Sequence, residues 1–165
     1  MAGPDVPAMG TLAPVCRRAA GEMIVSVWLD GAGLEILERE ECLRLLAGAN
    51  TGRIALTVRA LPAILPVRFV LDGDRIVIRA GAASTLAGAT RSAVVAFEAE
   101  GCDGGPAAEW SVVATGVARH VTDGHEQARL DALALPRWAG DDGSCLVSIT
   151  TERLGGRRTL VGERT

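Results

Sequence analysis

This chain of 165 residues contains no lysine and no tyrosine: all 17 of its basic residues are arginine, and aromatic rings come from only 3 tryptophans and 2 phenylalanines. Without an ammonium group, any bound anion must be met by guanidinium, hydroxyl or backbone groups. Without a phenol, one common proton donor is missing. No excess of positive charge exists either. The formal net charge is -3, which removes the electrostatic case for nucleic acid or an anionic membrane surface as partner. The four cysteines, Cys16, Cys42, Cys102 and Cys145, are scattered, and none forms a CxxC or Cys/His spacing, so no metal site is expected. Reduced thiols in a cytoplasm are the expectation, with Cys42, among helix formers, as a small buried hydrophobe. No apolar run approaches the ~20 residues of a membrane span. The start, MAGPDVPAMGTLAPVCRRAAGEM, has no apolar stretch of the signal-peptide kind.

What is present reads as one globular domain. Residues 1–33, rich in Pro, Gly and Ala, read as a flexible N-terminal extension, and residues 34–165 as the folded unit. LEILEREECLRLLAGANTG (34–52) carries Leu37, Cys42, Leu45 and Leu46 at near-helical spacing and predicts one amphipathic helix. The period then changes to two. In GRIALTV, Ile54, Leu56 and Val58 share a face opposite Ala55 and Thr57. AILPVRFVLDGDRIVIRAG predicts two strands joined at Asp72-Gly73-Asp74, with Pro66 marking an edge or a bulge. AVVAFEAE and WSVVATGVARHVTD are further strands, the second with a bend or bulge at Gly116. HEQARLDAL is a short helix, and Cys145 to Leu154 alternates again. About six strands, outnumbering the helices, predict a small antiparallel barrel with helices at its ends.

The stretch IRAGAASTLAGATR, Ile78 to Arg91, ends a strand with a charge and follows it with almost no side-chain bulk. Either it is a surface turn into a modest helix, or its backbone comes close to an anion such as a phosphate. Arg79 offers a forked pair of donors, and Ser84 and Thr85 offer hydroxyls near amides at a helix start. Gly81, Ala82 and Ala83 would keep side chains out of a ligand's path. Arg68 and Arg91 are weaker candidates, since most arginines are solvated. Ser111, His120 and Asp123 superficially suggest a hydrolytic triad, but residues so close along one strand do not converge, and no G-x-S-x-G elbow is present. Trp28 and Trp138 are assigned to packing, His125 to solvent, and Asp141-Asp142 to a turn.

The order EECLRLLAGANTGRIAL, LPAILPVRFVLDGDRIVIRAG, STLAGATRSAVVAFEAE, EWSVVATGVARHVTD, VSITTERLGGRR resembles the pyridoxamine 5'-phosphate oxidase-like family over residues 34–160. The resemblance implies a six-stranded antiparallel split β-barrel that pairs as a homodimer, with FMN, or the deazaflavin F420, held at the interface. It implies that Pro66, Val67 and Arg68 lie along the flavin ring, that Arg79 and the turn Ser84, Thr85, Leu86 receive the phosphate, that Trp110 and Ser111 reach the cofactor from the partner subunit, and that Arg157 and Arg158 approach the same groove. Thr85 departs from the family's usual lysine in a pattern like TKL. The implied activity is flavin-dependent oxidation or reduction of a small organic substrate. The alternatives are an F420-dependent reductase and a non-catalytic dimeric binding module that has lost flavin; the residues that bind the substrate phosphate in true pyridoxamine phosphate oxidases find no match.

Overall fold

The computed structural model describes residues 14–18, 24–102, 109–133, 135 and 143–159. The first strands are β1 (Pro14–Arg18), β2 (Ile24–Leu29) and β3 (Glu35–Leu37). Then come α1 (Arg39–Gly48), β4 (Thr51–Val58), β5 (Leu61–Asp72), β6 (Arg75–Gly81) and α2 (Thr85–Ala89). The chain continues through β7 (Ala93–Cys102), β8 (Glu109–His120), α3 (Gly124–Asp131), β9 (Ser144–Ile149) and β10 (Arg153–Arg158).

Six of these strands close a ring, in the order β8-β7-β4-β5-β6-β9, because β9 pairs back onto β8. All the pairings are antiparallel. The ring is split by β8, whose first half, Trp110 to Thr115, pairs with β10, while its last residues, Ala118 to His120, pair with β9. One long strand thus serves two neighbours in succession, and the fold is a six-stranded antiparallel split β-barrel. Beyond β10 the sheet continues through β3, β2 and β1.

Side-chain alternation determines which face each strand buries. On β4, Ile54 and Leu56 are buried between exposed or half-buried neighbours, and on β7 Val95, Phe97 and Ala99 do the same. Phe69 and Phe97 meet edge to face inside the barrel with centroids 4.8 Å apart, a favoured aromatic geometry. β6 is buried on both faces: Ile76 and Ile78 enter the barrel core, whereas Val77 joins Val121, Leu130, Leu135 and Leu146 in a second cluster beneath α3. The Asp72-Gly73-Asp74 turn forms as expected, with Gly73 at φ +63°. Pro66 lies where β5 pairs with β4 alone, since the pairing with β6 starts only at Phe69. The missing N–H is therefore tolerated at an open edge.

Four local expectations need correction. The helical reading of 34–52 is too long at both ends: residues 35–37 are a strand and the helix spans 39–48. All three residues of β3 pair with β10, and Glu35 and Ile36 pair with β2 as well; tertiary hydrogen bonding overrides a helical periodicity that is weak over so few positions. Cys145 to Leu154 is two strands, broken at Thr150 to Glu152. Gly116 forms no bulge, because the β7–β8 register runs unbroken from Ala93↔Ala118 to Cys102↔Glu109. Its missing side chain has another use, since a Cβ there would stand 1.8 Å from the Thr150 carbonyl oxygen. Trp28, assigned to packing outside the strands, lies in β2 and is 46% exposed.

Candidate functional site

The residues implicated by sequence separate into two clefts. One, of about 360 Å³, is lined by Leu65, Pro66, Val67, Arg79, Ala80, Gly81, Ser84, Thr85 and Leu86. It brings together six of the expected contacts from β5, β6 and the start of α2. Arg68 is not among them: alternation on β5 buries Val67 and turns Arg68 outward to solvent. The stretch of small residues from Gly81 to Ala83 makes the turn into α2, closed by Ser84 N–H donating to the Gly81 carbonyl at 2.8 Å.

Ser84 is the N-cap of α2, and its Oγ accepts from the Ala87 amide at 3.1 Å. The hydroxyl oxygen is thereby engaged, whereas its proton is still available to donate. Helix α2 has five residues, too few for a substantial macrodipole. Thr85 is exposed at its first position. Arg91 is exposed and does not line the cleft.

Arg79 is placed differently from a simple solvent-facing phosphate ligand. It shares the face of β6 that α3 covers, and its side chain is only 6% exposed. Nη2 donates to Asp131 Oδ1 at 2.7 Å and Nη1 to Ser144 Oγ at 3.1 Å. Its Nε is buried and makes no hydrogen bond to the described residues. A buried donor of that kind is rare enough to require an explanation.

The second region collects Trp110, Ser111, Arg157 and Arg158, together with Leu34, Glu100, Gly101, Cys102, Glu109 and Thr159, around a cleft of about 440 Å³. Adjacent residues on a strand face opposite ways, and that splits both expected pairs. Ser111 and Arg157 are register partners on the outer face, whereas Trp110 and Arg158 are partners on the inner one. Trp110 is 7% exposed and belongs to the core. Opposite it, a Cβ on Gly101 would come within 2.7 Å of the Trp110 ring, so the glycine admits the indole. The packing explanation of Trp110 is therefore the stronger, although the residue also lines the cleft.

Arg158 is tied to Glu41 of α1 by a hydrogen bond, with Glu35 3.8 Å away. Hydrogen bonding from Arg44, then from Arg158, holds the Glu41 carboxyl at about 2, against the opposing effect of burial. Arg157 is mostly exposed and pairs with Asp30 at 3.1 Å. The two arginines of GGRR thus serve different networks.

The clefts do not meet within this chain. Pro66 is opposite Arg53, Arg53 opposite Glu98 and Glu98 opposite Val113, three strand steps, or about 14 Å along the sheet. Ser111, His120 and Asp123 form no hydrolytic triad. Ser111 and His120 are nine positions apart on β8, about 30 Å of strand, and Asp123 caps α3 by accepting from the Glu126 amide at 2.8 Å. His120 Nε2 instead meets the Ala87 carbonyl at 2.9 Å and Thr90 Oγ1 at 3.3 Å. No group of metal-ligating side chains occurs among the described residues, and none of the described helices is long and apolar enough to cross a membrane. Trp138, Asp141 and Asp142 lie outside the described residues.

Comparison with known proteins decides the family. The family described as pyridoxamine 5'-phosphate oxidase matches residues 38–158. This chain belongs to the pyridoxamine 5'-phosphate oxidase-like family. The Mycobacterium tuberculosis protein Rv0080 is 37% identical over 134 residues, covering 78% of this chain and 88% of that protein. The solved structure of a FAD binding protein from Mycobacterium smegmatis is 31% identical, with a TM-score of 0.66, covering 75% of this chain and 96% of that one. A FAD-binding protein from Mesorhizobium loti, 18% identical with a TM-score of 0.62 over 77% of this chain and 99% of that one, shares the fold.

For a member of this family, the residues that sequence reasoning missed are Asp131 and Ser144, the two partners of Arg79. No local pattern links either to Arg79, which they reach from 52 and 65 positions away. An aspartate ending a helix was the one available hint, since a carboxylate is unfavourable at that end.

Proposed function

We propose that this protein is a homodimeric flavin-binding oxidoreductase acting on a small organic substrate, with the phosphate next to the flavin's ribityl chain received by the cleft of Arg79, Ser84 and Thr85. The observation that carries the reading is the buried, unsatisfied Nε of Arg79 at a cleft that also gathers Pro66, Val67 and Leu86. The residues present fit the group. A guanidinium donor, two hydroxyls and small-residue backbone suit a phosphate, and the Pro66-Val67 backbone supplies an edge for a ring. When bound, the flavin supplies the hydride or electron transfer; the protein binds, orients and shields it.

Two observations support a second subunit. The Trp110 and Ser111 region lies away from the Arg79 cleft in the same chain, and beside the Arg53–Glu98 and Arg53–Glu100 ion pairs the outer sheet face carries an apolar area where a solvated face would be polar. Ile64 is 67% exposed, Val94 72% and Val113 45%, beside Ala55 and Ala96 in the same cross-strand row as Ile64. A second copy covering that face would bring one subunit's Ser111 and Arg157 toward the other's Arg79 cleft. We place the protein in the cytoplasm, in keeping with its scattered free thiols.

FMN is the cofactor implied by sequence, while the 31% identical neighbour binds FAD; both share the ring and the first phosphate. The test is titration of cofactor-stripped protein with FMN, FAD and F420 in parallel, following flavin fluorescence. Arg79→Ala should weaken flavin nucleotide binding at least about tenfold, the worth of one charge-assisted hydrogen bond. Arg119→Ala, an exposed arginine on β8, should leave it unchanged. Equal affinities in the two variants would refute the placement of the phosphate. Binding of F420 alone would favour the deazaflavin reductase, and binding of none would favour the module that has lost flavin.

A further inference from the structure

Asp131 is the last residue of α3, where the helix dipole disfavours a carboxylate, and its side chain remains 48% exposed. A residue so placed contributes little to the helix itself. Its strongest partner is Arg79, at 2.7 Å from Nη2, while Ser144 Oγ takes Nη1 at 3.1 Å. A guanidinium is planar with five fixed N–H directions. Anchoring both terminal nitrogens therefore fixes the plane, and the Nε–H, which makes no hydrogen bond to the described residues, is held in one direction beside the cleft that Arg79 lines.

We propose that Asp131 is a positioning residue for phosphate recognition: with Ser144 it clamps Arg79 so that the Nε edge is kept for an oxygen of the ligand's phosphate monoester. The inference rests on the flavin nucleotide reading above. Helix α3 does not depend on this contact for its docking. Arg129 pairs with Asp72 through two bonds of 2.7 and 2.8 Å, Gln127 Nε2 donates to the Val121 carbonyl at 2.7 Å, and Leu130 is fully buried. Removal of the Asp131 carboxylate should therefore free Arg79 without detaching the helix.

The experiment titrates wild type, D131A and D131N with FMN and with riboflavin, which carries the same ring and no phosphate. D131A should bind FMN about tenfold more weakly, and riboflavin within about twofold of wild type. D131N keeps an oxygen acceptor in the same place and should recover most of the FMN affinity. Unchanged FMN binding in D131A would overturn the proposal, leaving Asp131 as a mere surface partner. Tighter FMN binding would also overturn it, since Asp131 would then compete with the phosphate. Parallel loss of riboflavin and FMN would overturn it as a device specific for phosphate. Failure of wild type to bind either ligand would instead overturn the flavin reading itself, and the inference with it; that outcome is read before any variant is compared.

Discussion

Gly116→Ala tests the junction at which the barrel splits. At Gly116 strand β8 passes from β10 to β9, and the chain returning from β9 crosses it closely enough that a Cβ would stand 1.8 Å from the Thr150 carbonyl oxygen and 2.6 Å from Thr150 Oγ1. The obstacle is backbone, so no rotamer change relieves it. Thr150 must move, and two hydrogen bonds move with it: Val117 N–H to Thr150 Oγ1 at 2.9 Å and Thr150 N–H to the Val117 carbonyl at 3.2 Å. Overpacking of this kind costs about 1–3 kcal/mol, and each disturbed hydrogen bond adds about 1 kcal/mol. The expected loss is about 3–5 kcal/mol, which lowers Tm by roughly 6–20 °C for a domain of this size. Chemical denaturation and calorimetry of the variant measure it. Gly48→Ala is the control, because a Cβ there meets nothing within 4 Å and should raise stability by a few tenths of a kcal/mol to about 1. A Gly116→Ala protein within about 0.5 kcal/mol of wild type would refute the reasoning, since it would mean that the two segments do not approach as described.

Acid should weaken the network that pins α3 to the β5–β6 hairpin. Hydrogen bonding from Arg129, then from Arg75, holds the Asp72 carboxyl at about 2, against the effect of burial. A carboxylate whose pKa is depressed by folding stabilises above its unfolded value near 4, and that contribution is lost as pH falls toward about 2. After allowance for screening, Asp72→Asn should cost about 1 kcal/mol at pH 7 and almost nothing at pH 2; a cost that does not shrink with acid would contradict the assignment. The outer face gives a separate prediction: Ile64→Asp combined with Val94→Asp places two charges on an apolar surface and should convert a dimer to monomers in analytical ultracentrifugation without lowering Tm below that of an isolated monomer. A doubly charged variant that remains dimeric would move the interface elsewhere.

Much of the fold was legible because burial on one side of a sheet imposes a period of two. GRIALTV, AILPVRFVLDG and AVVAFEAE show it plainly, and Asp72-Gly73-Asp74 announces its turn through the residue that tolerates positive φ. The cleft was legible in the same local way: Arg79 lies near the end of a strand, and Ser84 follows a run of small residues that leads into a helix start. What was illegible came from contacts between distant segments. Periodicity within 34–52 cannot show that Glu35 to Leu37 is captured by β10 and β2, nor can a glycine in a strand reveal that the Thr150 carbonyl passes over it. The alternation that helped to find the strands also decides that neighbours such as Arg157 and Arg158 part company, once the register with Ser111 and Trp110 is known.

By itself, then, the sequence determined the class of fold, the family and the absence of any lysine for an anion to use, and it singled out the stretch from Ile78 to Arg91. These are properties of short segments, fixed by composition and by the two-residue period of a half-buried strand. Only the tertiary structure decided that Arg79 is clamped by Asp131 and Ser144, that Trp110 is part of the core, and that the two groups of candidate residues lie apart on one chain. Those outcomes depend on which distant backbones lie side by side, and closure of the ring from β8 round to β9 is what places them there.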